Sequence, residues 1–91
     1  MRVEHHRDAS RFEAWVDGEC CVCQYRLVAD QGLVLFTHTE VPPRLGGRGI
    51  AAALVGAAFD WVRSEGLKLR PLCSYVAVYL RRHPQQQDLL G

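Results

Sequence analysis

Three stretches of this chain carry groups that could do chemistry. Gly46, Gly47 and Gly49 fall within four residues, after Pro42-Pro43 and before an Ala-rich run. Glycine lets backbone N–H groups approach a ligand, and a helix start adds roughly half a positive charge, so this spacing predicts an anion-binding loop. The bland alternative is a surface turn before a helix. His38 and Glu40, two residues apart just upstream, could serve as a general base and its orienting group, or form an ordinary surface pair. Cys73 is the only cysteine outside the Cys20–Cys23 cluster. It sits where a strand should end and a helix begin. A helix N-terminus favours the thiolate, so its pKa should fall below the ordinary thiol value of about 8.5. A buried structural thiol is the competing reading.

The elements that must position these groups follow from pattern. Arg2–His5 reads as a short first strand, with His5 and His6 facing solvent. Arg11–Val16 alternates, placing Phe12, Ala14 and Val16 on one side. Asp17-Gly18 is a hairpin signal, Glu19–Val28 is the returning strand, and Ala29–Gly32 is a second turn. Leu33–Val41 is the next strand of an antiparallel meander. Strict alternation along it puts Val34, Phe36, His38 and Glu40 on one face, opposed by Leu35, Thr37, Thr39 and Val41. The two prolines end it, because neither has an N–H for a ladder.

The main helix should run from Ile50 to Glu65, burying a stripe of Ile50, Leu54, Ala57, Ala58, Trp61 and Val62, with Gly66 as its left-handed cap. Ala52, Ala53 and Gly56 leave another side thin enough for a close neighbour. Leu67–Cys73 reads as a strand parallel to Leu33–Val41, distorted by Pro71. Ser74 should cap a last helix, Tyr75–His83, stopped by Pro84. Residues 85–91 form a polar tail with a small apolar anchor at Leu89-Leu90. The fold class is therefore α/β in the mixed α+β sense: a meander, then strand, glycine loop, helix, parallel strand and helix.

Composition narrows the function. Ninety-one residues suit one domain over 1–91. Eleven basic and ten acidic residues give no electrostatic case for nucleic acid as the main partner. No apolar run approaches the roughly 20 residues of a membrane span, and the N-terminal residues do not look like a signal peptide, so a cytoplasmic protein with no membrane partner is expected. Cys20-Cys21-Val22-Cys23 lacks the C-x-x-C spacing of zinc ligands, and no metal site is expected. On a strand, Cys21 and Cys23 would share a face with Tyr25 and Leu27, acting as small hydrophobes, while Cys20 points away.

The glycine loop lacks the Lys-Ser/Thr of a nucleotide-hydrolase P-loop and the third glycine of a dinucleotide fingerprint. It resembles the acetyl-CoA loop of the GNAT superfamily of N-acetyltransferases: Gln or Arg, two residues, Gly, one residue, Gly or Ala. Two registers fit, Arg44 to Gly49 or Gly46 to Ala51. The second is preferred, because it places the last small residue inside the helix. The chain is similar above all to short stand-alone members. They share Phe12, Tyr25, His38-Thr39-Glu40-Val41-Pro42, Gly47-x-Gly49-Ile50, Pro71-x-Cys73 and His83-Pro84, which together span nearly the whole length.

The resemblance implies a truncated GNAT-like acyl-CoA N-acyltransferase fold that binds acetyl-CoA or CoA between strands 33–41 and 67–73. It implies that Val41, Leu45, Gly46, Gly47, Arg48, Gly49, Ile50 and Ala51 hold the ligand, with the pyrophosphate on the amides of Gly47 to Ala51. Cys73 matches the short family's active-site cysteine, and would accept the acetyl group or protonate departing CoA. The expected function is acetyl transfer to an amine acceptor of unspecified kind, small molecule or protein. A non-catalytic CoA-binding or protein-interaction module is the alternative, and a homo-oligomer fits either.

Overall fold

A computed structural model describes all residues, 1–91. Five strands form one sheet in chain order: β1 (Glu4–His6), β2 (Arg11–Val16), β3 (Glu19–Val28), β4 (Leu33–Glu40) and β5 (Lys68–Pro71). The first four are antiparallel, and β5 lies parallel to β4. Helix α1 (Ile50–Ser64) makes the crossover between them, and α2 (Ser74–Arg82) follows β5. No helix is long and apolar enough to cross a membrane.

The hairpin between β2 and β3 turns through Asp17 (φ 51°) and Gly18 (φ 77°), a left-handed pair whose twist matches that of the strands. Helix α1 buries Ile50, Leu54, Val55, Ala58, Phe59 and Val62. Ala57 and Trp61, expected inside, are half-buried, while Val55 and Phe59 complete the buried set. The reason is a second neighbour: α1 packs against α2 as well as the sheet. Phe59 lies 5.5 Å from Phe36 and 5.2 Å from Tyr79, ring centre to ring centre. A Cβ on Gly56 would come within 3.4 Å of the Tyr79 hydroxyl, so this glycine gives the close approach the thin side of the helix suggested.

His5 departs from expectation. It is not solvent-facing but turned inward: its ring stacks on Phe12 at 3.9 Å, and Nε2 lies 2.7 Å from the Tyr25 hydroxyl. β1 begins two residues later than expected, at Glu4, and its register sets His5 opposite Phe12 and His6 opposite Arg11. Burial lowers the His5 pKa, with help from the charges of Arg7 and His6.

After α2 the tail folds back as a 3₁₀ turn (Pro84–Leu89) that buries Leu89. It then runs along the open side of β5. Leu90 bridges Leu69, and the Gly91 N–H donates to Leu69 O at 3.0 Å. Arg63 clamps Asp88 with two hydrogen bonds, at 2.8 and 2.9 Å.

Candidate functional site

The site grows from one irregularity in β4. Gln24 pairs with His38 but Tyr25 pairs with Phe36, so Thr37 is an extra residue with no partner opposite. Such a β-bulge reverses the inward–outward alternation on its far side. Val34 and Phe36 therefore face the core, fully buried, whereas His38 and Glu40 emerge exposed on the other face of the sheet. The four do not share a face as simple alternation predicts. Thr39 turns inward in their place, opposite Cys23.

Where the bulge begins, β4 and β5 part. Phe36 and Pro71 are the last pair of the parallel ladder, and the Phe36 carbonyl accepts from both Leu72 N–H (3.0 Å) and Cys73 N–H (2.9 Å). Beyond that point β4 continues to Glu40 on β3 alone, leaving a notch between the two strands. Cys73 stands in it. It is itself the N-cap residue of α2, the position expected for Ser74, which is instead the first helical residue. Tethering of the Cys73 N–H by Phe36 O settles the boundary against the local preference of serine for a cap.

The Cys73 thiol is half-buried, and that burial pushes its pKa up. The backbone N–H groups of Val76, Tyr75 and Thr39, with the Thr39 hydroxyl, outweigh this and leave it below the ordinary value. Cys73 Sγ lies 3.6 Å from Thr39 Oγ1. Burial raises the pKa of Cys20 and Cys21, and pushes Cys23 up to about 11. Cys73 is thus the one thiol of the four whose pKa is lowered rather than raised.

The glycine loop follows the end of β4 and lines a cleft. Pro43 opens a single 3₁₀ turn, Pro43–Leu45, and Leu45 is driven completely into the core as its anchor. Gly47 (φ 79°) and Gly49 (φ 76°) adopt left-handed conformations that other residues rarely take, and Gly49 is the N-cap of α1. Leu45 and Gly46 donate to Pro42 and Pro43, and the first intrahelical bond runs from Ala53 to Gly49. No side chain caps α1. The consecutive N–H groups from Gly47 to Ala52 consequently have no acceptor in the protein, and they lie at the positive end of a 15-residue helix.

A cleft of about 250 Å³ opens in front of them. Of the eight residues expected to hold a ligand, all but Arg48 line it; Ala52 and Tyr75 complete its walls. Tyr75 carries no obvious signal in the sequence, because its place depends on α2 packing beside α1. Arg48 instead points away and donates to Asp17 Oδ2 at 2.9 Å. His38 Nε2 and Glu40 Oε1 are paired at 3.1 Å on the opposite face of the sheet.

Comparison with known proteins accords with this architecture. The solution structure of a GCN5-like protein from Staphylococcus aureus superposes with a TM-score of 0.78 at 25% identity, covering 99% of this chain and 87% of that one. Protein NATD1 of mouse is 38% identical over 91 residues, which cover 98% of this chain and 82% of the relative. Human NATD1 is likewise 38% identical, with 98% and 80% covered. The family model described as GCN5-related N-acetyl-transferase matches residues 11–89. That span holds the bulge, the notch, the glycine loop and Cys73, and the chain belongs to the GCN5-related N-acetyltransferase family.

Proposed function

We propose that the protein binds acetyl-CoA in the cleft and transfers the acetyl group to an amine by way of Cys73. The observation that carries this reading is the run of free amides from Gly47 to Ala52 at the start of α1, beside a cleft bounded by Val41 after β4 and Tyr75 of α2. A pyrophosphate supplies the acceptors that these N–H groups lack. The apolar wall made by Val41, Leu45 and Ile50 suits the pantetheine arm, and β4 beyond Phe36 offers it unpaired backbone.

The acyl carbon would then lie near Cys73. Its thiolate attacks the carbonyl, a bond from Cys73 sulfur to carbon forms, and CoA leaves as the thiolate. An amine attacks the resulting thioester, a C–N bond forms, and Cys73 is released. The N–H groups of Tyr75 and Val76 at the start of α2 stabilise the departing charge. His38, steadied by Glu40, would take the proton from an amine that enters through the far face of the sheet.

The test is covalent. Incubation with acetyl-CoA should add one acetyl group to Cys73, removable by hydroxylamine, and Cys73→Ala should lose both the adduct and transfer. Full transfer by Cys73→Ala rejects the thioester route. Failure to bind CoA in a calorimetric titration rejects the whole reading.

A further inference from the structure

Cys23 lies at the centre of a strand that carries three thiols, and its contact with Thr39 is polar. The two are cross-strand partners, and Thr39 Oγ1 lies 3.9 Å from Cys23 Sγ. On its other side the same oxygen lies 3.6 Å from Cys73 Sγ. The Thr39 hydroxyl thus links two thiols, and each of the three groups can donate and accept a hydrogen bond. We propose that Thr39 and Cys23 are positioning residues for Cys73, forming a hydrogen-bond chain whose direction reverses when Cys73 ionises. The proposal rests on the reading of Cys73 as the reacting group.

With Cys73 protonated, its S–H donates to the Thr39 hydroxyl, and that hydroxyl donates to Cys23 sulfur. When the Cys73 proton leaves to water, the Thr39 O–H rotates and donates to the thiolate. Its vacated lone pair then accepts the S–H of Cys23. No proton passes along the chain; two X–H bonds turn. The arrangement needs the far group to stay protonated throughout, and Cys23 does: it is fully buried, and burial holds its pKa at about 11. A bond from a half-buried hydroxyl to a charged sulfur is stronger than one to a neutral thiol, so the chain favours the ionised form.

The experiment is the pH profile of Cys73 alkylation by iodoacetamide, read on the Cys73 peptide by mass spectrometry. Thr39→Val keeps the β-branched shape and removes the hydroxyl. It should move the midpoint upward by about one pH unit, leaving about tenfold less thiolate at neutral pH. Thr39→Ser should restore the wild-type midpoint. Cys23→Ala should shift it in the same direction by less, and Cys23→Ser should not.

A Thr39→Val profile that overlays the wild type overturns the proposal, as does a Thr39→Ser profile that matches Thr39→Val. A Cys23→Ala profile identical to wild type removes Cys23 from the chain. Failure of the underlying reading looks different. There, Cys73→Ala retains acetyl transfer while the alkylation profiles still respond to Thr39.

Discussion

Arg48 Nη1 donates to Asp17 Oδ2 across 2.9 Å, joining the glycine loop to the tip of the β2–β3 hairpin. Arg44 reinforces the join by pairing with the Glu19 carboxylate and donating to Asp17 O at 3.0 Å. Both ends of the Arg48–Asp17 pair are half exposed, so it contributes at most about 1 kcal/mol. Arg48→Ala should accordingly weaken CoA binding by no more than about fivefold. A hundredfold loss in a calorimetric titration would instead make the guanidinium a phosphate ligand.

The glycines should matter far more. A Cβ at Gly47 or Gly49 meets no protein atom within 4 Å, and both glycines line the cleft, so a larger side chain there should compete with the ligand for space. The left-handed backbone adds about 1–2 kcal/mol of strain for a non-glycine residue. Gly49→Val should fold yet lose at least about a hundredfold in CoA affinity, the worth of one or two charge-assisted hydrogen bonds. Gly66→Val is the control: with φ 67° it bears the same strain at the other end of α1, and its affinity should match wild type.

Placement of His38 and Glu40 on the far face of the sheet makes a directional claim about the acceptor. His38→Gln should lower kcat for acetyl transfer about 10²–10⁴-fold, the range for a positioned base, and leave CoA affinity intact. The half-reaction that acetylates Cys73 should proceed at its normal rate in this variant, since no amine takes part in it. A variant with wild-type kcat returns the pair to the surface.

His5 gives a pH signature unrelated to catalysis. Its pKa is lowered in the folded state, so the unfolded chain binds the proton more tightly. Stability should fall as pH drops below the unfolded imidazole value of about 6.5, and the loss should be complete below the folded-state pKa. Phe12, Tyr25 and Trp61 surround the ring, and Arg7 and His6 supply the nearby positive charge. His5→Phe should flatten the slope in urea denaturation across that window. An unchanged slope would place its origin elsewhere.

Much of this architecture was legible from local rules. Asp17-Gly18 marked the hairpin because the turn demands two left-handed residues, and Gly49 and Gly66 marked the limits of α1 for the same reason. The anion loop was readable because backbone chemistry, not side chains, makes it. The Thr37 bulge was not readable. Nothing in Phe36-Thr37-His38 breaks alternation, and the extra residue exists only relative to the register of β3. Every error about which face His38 and Thr39 occupy follows from that one residue. Tertiary tethers also hid the inward turn of His5 and the capping place of Cys73, since each depends on a partner distant in the chain.

Strand β5 borders the sheet, and its outer side would ordinarily invite an intruding strand. The returning tail occupies that side: Leu90 and Gly91 engage Leu69, Lys68 Nζ donates to Asp88 O at 2.7 Å, and Arg63 locks Asp88 from the helix. A Cβ on Gly91 would come within 2.8 Å of Lys68 Cβ, so the fit there admits little variation. A foreign strand must first peel away Leu89, which is buried in the core. The chain thus carries its own guard against fibril growth along β5, and the sheet's other edge is the three-residue β1.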